Sequence, residues 1–354
     1  MNILVIRLSS IGDIVHTIPA VACLRRAYPE SRITWVTGET TAPLLYNYPE
    51  IDRLITADEK KWLRMLRRGS LFAASRAVKL FVSELRSEHY DMVLDFQGLL
   101  KSSLIAACSR GKRKIGFANG REGSVLLYSE KAEPAHFYSH AIARHMGLIR
   151  HLGISIPPGT PGPLFGQEDE KKVLSLLERE GVSRSKPMIC FHPWARWPTK
   201  IWKQEHISGL CERIHRELDC TVIFIGSREA CRHVPAAPRD TSPDIKNFTG
   251  KTTLSELACL LSHADLVLST DSGPMHIACA VGTPVAALFG PTSPERTGPF
   301  GTRDTVITKK TACSPCFAKT KCPEGHHRCM NDISVEEVFQ VCCNYIQHSR
   351  QKPG

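Results

Sequence analysis

Residues 264–292 read ADLVLSTDSGPMHIACAVGTPVAALFGPT and predict two buried strands joined through a short helix. The apolar runs at 264–268 and 285–288 are the strands, and the helix lies at 275–281. Both strands end in polar or glycine-containing turns, which would meet at one edge of a parallel sheet, where open α/β folds bind ligands. Free N–H groups at the helix start would favour an anion, typically phosphate. The alternative is an ordinary βαβ crossover in which Asp271 only caps the helix.

Strand-length apolar runs alternate with helical patterns along the chain, which predicts an α/β protein with parallel sheets and helices on both faces. The predicted strands are 3–6, 33–36, 92–94, 188–191, 222–225, 266–269 and 285–288. The alternation breaks at the proline-rich connector IPPGTPGP, residues 156–163. We therefore predict an N-terminal domain at 1–155, a linker at 156–166, a second domain at 167–330 and a C-terminal helix at 331–354.

The chain is basic: its 354 residues carry 46 Lys and Arg against 35 Asp and Glu, a net charge of +11. Such an excess favours anionic partners such as nucleic acid, an acidic membrane surface or a phosphorylated substrate. Much of it lies in one segment, interleaved with apolar residues: Lys60, Lys61, Arg64, Arg67, Arg68, Arg76 and Lys79. This segment is either a solvated helix face or a surface that meets anionic lipid head groups or an anionic acceptor.

The sequence carries no signal for a membrane span or for export. No apolar run reaches the length of about 18 residues that a membrane-spanning helix needs. Residues 1–7, MNILVIR, read as a strand and lack a cleavable signal pattern. We therefore expect a cytoplasmic protein.

Residues 9–13, SSIGD, follow the first predicted strand directly. Pro19 indicates that the next helix begins near Thr17, because proline is tolerated in a first turn but not in a helix interior. Residues 9–16 would then be a loop. On such a loop Asp13 would face a cleft and accept a proton, or it would be a structural turn residue.

Residues 192–202, HPWARWPTKIW, follow the first strand of the second domain and combine three tryptophans with two cations. Arg196 and Lys200 suit a diphosphate, because lysine acts as a point charge and arginine as a fork. The tryptophans would stack on a ligand or wall the cleft. Glu229, after the next strand, would bind ribose hydroxyls or belong to a plain turn.

Four of the 14 cysteines form a cluster with metal-ligand spacing: Cys313, Cys316, Cys322 and Cys329, with His326 and His327 among them. Tetrahedral zinc would need four of these six groups. The alternatives are an iron–sulfur or redox role, and free thiols packed in a structured loop. In each case we interpret the segment as structural. The other cysteines are predicted to be small buried hydrophobic residues in a reducing compartment.

These motifs, taken in order, resemble the bacterial heptosyltransferases of lipopolysaccharide inner-core synthesis, glycosyltransferase family 9. The likeness covers nearly the whole chain, and each segment alone is weak, whereas their order and spacing are specific. The matching segments are 3–19 with SSIGD, 95–102 (DFQGLLKS), 115–117 (IGF), 121–123 (REG), 196–202 (RWPTKIW), 271–276 (DSGPMH) and 289–292 (FGPT).

The resemblance implies a GT-B fold, in which two Rossmann-like domains face each other across a cleft, the N-terminal one for the acceptor and the C-terminal one for the nucleotide-sugar. The family transfers heptose from ADP-heptose to Kdo or heptose of the growing core, inverting the anomeric centre without a metal. Asp13 would be the general base on the acceptor hydroxyl, and Lys200 would neutralise the ADP leaving group. The implied donor-binding residues are Arg196, Thr199, Glu229, Asp271, Ser272, Gly273 and His276. The implied acceptor-binding residues are Ser10, Gly12, Lys61, Arg64, Gln97, Lys101 and Arg121.

The expected partners are ADP-heptose and an anionic Kdo-lipid A or core acceptor, met by a peripheral monomer at the cytoplasmic face of the inner membrane. No nucleic-acid partner and no catalytic cofactor are expected, and structural zinc at the cysteine cluster stays open. Because a diphosphate would repel Asp271, we assign that carboxylate to sugar hydroxyls or to fixing the turn. The alternatives are a family 9 enzyme with another nucleotide-sugar or acceptor, a basic zinc-clip nucleic-acid-binding protein, and a non-catalytic sugar-nucleotide sensor.

Overall fold

A computed structural model describes residues 1–134, 136, 139–157, 162–183, 185–231, 244–301 and 303–350. Its contacts divide the chain into two compact units, Met1–Leu164 and Phe165–Gly354, called the N-terminal and C-terminal units below. Part of the predicted linker, residues 158–161, lies outside the described residues. Within the described ranges, no helix has both the length and the apolar character to cross a membrane.

The N-terminal unit alternates strands and helices around one parallel sheet. Its strands are β1 (Asn2–Ile6), β2 (Arg32–Gly38), β3 (Arg53–Ala57), β4 (Tyr90–Asp95), β5 (Gly111–Phe117) and β6 (Glu130–Ala132). Its helices are α1 (Ile11–Ala27), α2 (Glu59–Arg67), α3 (Leu71–Leu85), α4 (Leu100–Cys108) and α5 (Ala141–His151), with 3₁₀ turns at Ala42–Leu45 and Ser124–Leu127. The strand order is β3-β2-β1-β4-β5-β6.

The C-terminal unit repeats this plan. Its strands are β7 (Met188–His192), β8 (Thr221–Phe224), β9 (Ile245–Asn247), β10 (Leu266–Thr270), β11 (Val285–Phe289) and β12 (Thr305–Thr308). Its helices are α6 (Gln167–Arg179), α7 (Gln204–Glu217), α8 (Arg228–Cys231), α9 (Leu254–Ser262), α10 (Gly273–Ala280), α11 (Pro294–Thr297), α12 (Arg328–Asn331) and α13 (Val335–Arg350), with a 3₁₀ turn at Pro198–Lys200. The strand order is β12-β11-β10-β7-β8-β9.

The two sheets have the same connectivity, because the second order is the first one read from the other edge. In each unit the first and fourth strands are neighbours, β1 with β4 and β7 with β10. Between them the strand order reverses, and connections leave to opposite faces of the sheet. The carboxyl ends at such a switch point form the crevice in which doubly wound folds bind ligands.

Burial of the central strands on both faces explains why they read as continuous apolar runs. Residues 3–6 of β1 are fully buried, and they pack on one side against Phe81 and Leu85 of α3. In the C-terminal unit Trp202 joins a core that also holds Phe339 and Cys342 of α13. Helix α13 therefore belongs to the core of that unit.

The start of α1 corrects a sequence prediction. The helix begins at Ile11 rather than near Thr17, so Pro19 lies in its interior. An interior proline costs about 3 kcal/mol, because it removes one amide donor and crowds the preceding turn. Residues 14–24 are all buried, however, and the Thr17 hydroxyl donates to the Asp13 carbonyl oxygen at 2.8 Å. Packing of this helix on both sides thus outweighs the propensity of one residue.

Candidate functional site

The predicted donor-binding residues of the C-terminal unit follow the carboxyl ends of three strands. Arg196, Thr199 and Lys200 come after β7, Glu229 comes after β8, and Asp271, Ser272, Gly273 and His276 come after β10. Because β7 and β10 are neighbours at the switch point, the first and last groups lie together. Glu229 is exposed in the first turn of α8, and its contact with a ribose stays a prediction.

A buried ion pair joins these two groups. Lys200 Nζ lies 2.6 Å from Asp271 Oδ2 and also donates to the Asp271 carbonyl oxygen at 3.3 Å. The Thr292 hydroxyl, at the end of β11, donates to the same carboxylate oxygen at 2.7 Å. The Lys200 ammonium also lies 4.4 Å from the centre of the Trp197 ring. Asp271 is thus the counter-ion that holds Lys200 in place. Thr292, which the sequence placed in the FGPT segment without a role, is a member of this site.

The first turn of α10 offers amide groups to an anion. Ser272, not Asp271, is the N-cap residue, so the interpretation of Asp271 as a simple cap is wrong. The Ser272 hydroxyl donates to the Thr270 carbonyl oxygen at 3.1 Å and makes no capping bond to the helix. The amides of Gly273 and Met275 therefore remain available to a phosphate, as is typical of helix N-termini, whereas Pro274 between them has no N–H to donate. His276 is buried one turn into the helix.

The tryptophans of the 192–202 motif have different environments. Trp194 is buried, and its carbonyl oxygen accepts a hydrogen bond from the Thr270 hydroxyl at 2.8 Å. It therefore belongs to the wall that joins the β7 and β10 turns. Trp197 is half-buried under two ammonium groups, and Arg196 is exposed.

Residues 309–327, called the cysteine loop below, connect β12 to α12 without regular secondary structure. The loop makes two hydrogen bonds to Thr199. The Thr199 hydroxyl donates to the Ala318 carbonyl oxygen at 2.6 Å, and the Thr199 carbonyl oxygen accepts from His327 Nε2 at 2.5 Å. Thr199 is buried, so its hydroxyl links the turn that carries Lys200 to the cysteine loop. Its predicted contact with the donor stays a prediction.

The four clustered cysteines line one pocket of about 220 Å³ together with His327. All four thiols are free, and burial and then the three neighbouring cysteines raise the pKa of Cys329 to about 11. Four thiolates are a donor set that zinc accepts. Within the part of the chain that is described, no three His, Cys, Asp or Glu side chains are spaced to hold a metal ion. The zinc site therefore stays a prediction.

Among the described side chains the remaining cysteines are mostly buried, as predicted, although Cys108 is exposed at the end of α4 and Cys343 is half-buried on α13. The predicted burial of Cys231 concerns a side chain outside the described part of the chain. The prediction is wrong for Cys108, whereas Cys343 is partly buried and packs against the edge of the C-terminal core.

Asp13 lies in the first turn of α1, directly after β1. Its Oδ2 accepts hydrogen bonds from the Ser10 amide and the Ser10 hydroxyl, both at 2.9 Å. Its Oδ1 lies 2.6 Å from Nη2 of the buried Arg7. The carboxylate is thus fixed by structural contacts, yet its side chain is 39% exposed and able to meet a substrate.

The electrostatic surroundings keep Asp13 ionised. Burial raises the pKa of Asp13, but the Arg7 charge and the hydrogen bonds from Ser10 lower it more, to about 2. His145 lies nearby, and burial together with the Arg7 charge lowers the pKa of this histidine to about 3. Its ring is therefore neutral, and it contacts the Thr17 hydroxyl at 3.2 Å. Arg7 and His145 were not identified from the sequence, because neither belongs to the SSIGD motif.

The predicted acceptor-binding residues all follow carboxyl ends of the N-terminal sheet. Ser10 and Gly12 come after β1, Lys61 and Arg64 after β3, Gln97 and Lys101 after β4, and Arg121 after β5. The exposed side chains of Lys61 and Arg64 are open to a ligand, whereas Lys101 pairs with Glu59. The Gln97 side-chain oxygen Oε1 accepts a hydrogen bond from the Leu8 amide at 2.8 Å, which ties the ends of β1 and β4 together.

A buried carboxylate shapes the turn that carries Gln97. Asp95, at the end of β4, accepts the amides of Gln97 and Gly98 at 2.8 and 3.2 Å and the Tyr128 hydroxyl at 2.7 Å. Burial raises the pKa of Asp95, and these hydrogen bonds act against the rise. Gly116 of β5 lies under the Tyr128 ring, and a methyl group there would meet the ring at 2.3 Å.

The comparisons with known proteins agree with this architecture. The family model described as Glycosyltransferase family 9 (heptosyltransferase) matches residues 78–327. The chain is 29% identical over 313 residues to the lipopolysaccharide core heptosyltransferase OpsX of Haemophilus influenzae, a match that covers 87% of this chain and 84% of that protein. A solved glycosyl transferase family 9 structure from Veillonella parvula is similar with a TM-score of 0.80 at 21% identity, over 98% of this chain and 97% of that one. The E. coli heptosyltransferase WaaC with ADP gives a TM-score of 0.77 at 22% identity, over 98% and 100% of the two chains. The predicted α/β fold class, GT-B with two Rossmann-like domains, is confirmed.

Proposed function

The chain belongs to glycosyltransferase family 9 and is a glycosyltransferase, and we propose that it transfers heptose from ADP-heptose to the Kdo or heptose inner core of lipopolysaccharide, with inversion at the anomeric carbon. The observation that carries the proposal is the Lys200–Asp271 pair at 2.6 Å, which holds an ammonium next to the first turn of α10. A fixed cation and free amides together match a departing diphosphate. The similarity to a lipopolysaccharide core heptosyltransferase supports the class of sugar and acceptor.

On the donor side, Lys200 and the α10 amides would take the two phosphates of ADP. Negative charge grows on the diphosphate as the bond to the sugar breaks, and a cation already in place lowers that barrier without reorganising. Asp271 is occupied by Lys200 and Thr292, so its role is to hold the ammonium rather than to face the phosphates.

On the acceptor side, Asp13 would take the proton of the attacking hydroxyl. A carboxylate with a pKa of about 2 is ionised at neutral pH but is a weak base. Proton transfer must therefore accompany formation of the glycosidic bond rather than precede it. The Arg7 and Ser10 contacts orient the carboxylate and leave it one acceptor position for the hydroxyl, on Oδ1, since each oxygen accepts about two hydrogen bonds and Oδ2 already accepts two. No metal takes part in these steps as proposed. We also propose that the enzyme acts as a monomer and meets its lipid-linked acceptor at the cytoplasmic face of the inner membrane.

The test is ADP release from ADP-heptose, with and without a deacylated Kdo-lipid A acceptor. We expect acceptor-dependent release, and a loss of about 10²–10⁴-fold in kcat for Asp13→Asn, the range for removal of a general base. ADP binding without turnover would refute this acceptor, and absence of ADP binding would refute the donor.

Asp52→Asn is the matched control. Asp52 also pairs with an arginine at 2.6 Å and is 43% exposed, but it precedes β3 and so lies at the opposite end of the sheet. The Asp52→Asn variant should lose the ion pair with Arg25 and keep the turnover of the unaltered chain. Equal kcat values for the two variants would show that Asp13 is a structural residue only.

A further inference from the structure

Helices α2 and α3, called the basic helix pair below, expose an unusual amount of apolar surface. Helix α2 has no buried residue, and α3 buries only Ala74, Phe81 and Leu85 among its described residues. These three positions fix the inner side of α3 to the unit, and Trp62 of α2 packs against the Phe81 ring at 5.2 Å. The rest of the pair is turned outward.

The outward face of α3 combines aromatic, aliphatic and basic side chains. Phe72 is 85% exposed and Leu80 is 64% exposed. Arg76 and Lys79 lie between them at helical spacing, four and seven residues after Phe72, and both are exposed. Leu71, at the start of the helix, is exposed as well. Apolar and basic groups therefore share one face, instead of separating into a buried and a solvated side.

The charge of the segment has one sign. Residues 60–83 contain seven cations and no acidic residue. In the described part of the chain, none of these seven makes an ion pair within 4.0 Å: Lys60, Lys61, Arg64, Arg67, Arg68, Arg76 and Lys79. Lys61 and Arg64 interact with Glu39 at longer range, and the remaining positive charge is available to an external anion.

We infer that the basic helix pair docks on an anionic phospholipid bilayer, with Phe72 and Leu80 inserted at the boundary between head groups and acyl chains. A soluble anion would use the cations but would leave the exposed aromatic and aliphatic side chains in water. A protein interface is typically depleted in lysine at its core. Amphipathic helices that lie in the membrane interface combine aromatic or leucine side chains with lysine and arginine. The inference deepens the proposed function, because a lipid-linked acceptor would be met at such a surface. Only the biological reason for membrane binding rests on the proposed function; the binding itself does not.

The test is co-sedimentation of the full chain with phosphatidylglycerol vesicles and with phosphatidylcholine vesicles. It needs neither donor nor acceptor, so its failure is separate from failure of the glycosyltransferase proposal. We expect binding to the anionic vesicles only, weakened at about 0.5 M salt by screening. Arg76→Glu/Lys79→Glu should weaken binding at least about 25-fold, from about fivefold for each cation lost. Phe72→Ser/Leu80→Ser should weaken it at least about tenfold.

The controls are equally exposed side chains elsewhere. Leu126→Ser removes an 81% exposed leucine, and Lys171→Glu/Lys172→Glu reverses two exposed charges on α6. Both should bind anionic vesicles as the unaltered chain does, and all variants should turn over a soluble acceptor at the unaltered rate. Unchanged vesicle binding by Phe72→Ser/Leu80→Ser, or binding of soluble glycerol phosphate without binding of vesicles, would overturn the inference.

Discussion

Replacing Lys200 by methionine should remove both the counter-ion of Asp271 and the cation that we propose to meet the diphosphate. The substitution removes the cation that faces the Asp271 carboxylate at 2.6 Å. Asp271 is 6% exposed, and the Thr292 hydroxyl at 2.7 Å would be its remaining side-chain donor within the described residues. A buried negative charge without its counter-ion is strongly unfavourable.

The size of the effect follows from the geometry. Two unit charges at 2.6 Å attract by about 6 kcal/mol at an effective dielectric constant of 20, before the loss of hydration is subtracted. Removing one partner of a buried pair costs about 3–5 kcal/mol, and the 15% exposure of Lys200 places this pair at the lower end. We expect Lys200→Met to lose about 3 kcal/mol of unfolding free energy and about 6–12 °C in Tm.

A second substitution tells the two roles apart. Lys200→Met/Asp271→Asn removes the stranded charge and keeps an acceptor for Thr292, so it should regain about 2 kcal/mol over the single variant. Turnover should stay lost in both, because the ammonium that we propose to meet the diphosphate is absent.

Urea unfolding and ADP release, measured on both variants and on Asp271→Asn, complete the cycle. A Lys200→Met variant as stable as the unaltered chain would refute the argument that the pair is stabilising. A double variant that regains turnover would refute the role of the ammonium.

Three further outcomes are expected. Arg7→Met should raise the pKa of Asp13 from about 2 towards its ordinary value of about 3.9. In the unaltered chain the stabilisation from this pair is complete above about pH 4 and is lost as the pH falls towards 2, so the difference in urea midpoint between the two proteins should shrink over that interval. Gly116→Ala should cost about 1–3 kcal/mol in urea unfolding, because the new methyl group overlaps the Tyr128 ring; an unchanged midpoint would mean that the ring moves freely. If the cysteine loop binds zinc, metal analysis of protein purified without chelator should give about one zinc per chain, and an absence of zinc would leave the free-thiol interpretation.

The sequence predicts the centres of both sheets and misses all four edge strands. All seven predicted strands exist, and they are β1, β2, β4, β7, β8, β10 and β11. The edge strands β3, β6, β9 and β12 were not predicted, because a strand with one neighbour is less buried and carries polar residues. Strand β5 was also missed, since its sequence GKRKIGF begins with three cations in four residues.

The position of the site follows from the sequence, whereas its internal contacts do not. Polar turns after apolar strands place Asp13, Lys200 and Asp271 at the correct edge of their sheets. The pairing of Lys200 with Asp271, and the partnership of Asp13 with Arg7, depend on side-chain directions and on strand register. Neither is encoded in the spacing of residues along the chain.

The shared strand order has a consequence for how such proteins diversify. In each unit the segment that follows the first strand carries a residue to which we assign chemistry, the carboxylate of Asp13 in the first turn of α1 and the ammonium of Lys200 in a 3₁₀ turn. The same position in the fold thus carries opposite charges in the two units. The buried strands beneath it are apolar, so they make no contact that depends on the sign of this charge. New specificities can arise by exchanging or lengthening loops at this edge while the scaffold stays constant. Duplication of one such scaffold would be enough to supply both halves of a two-substrate enzyme.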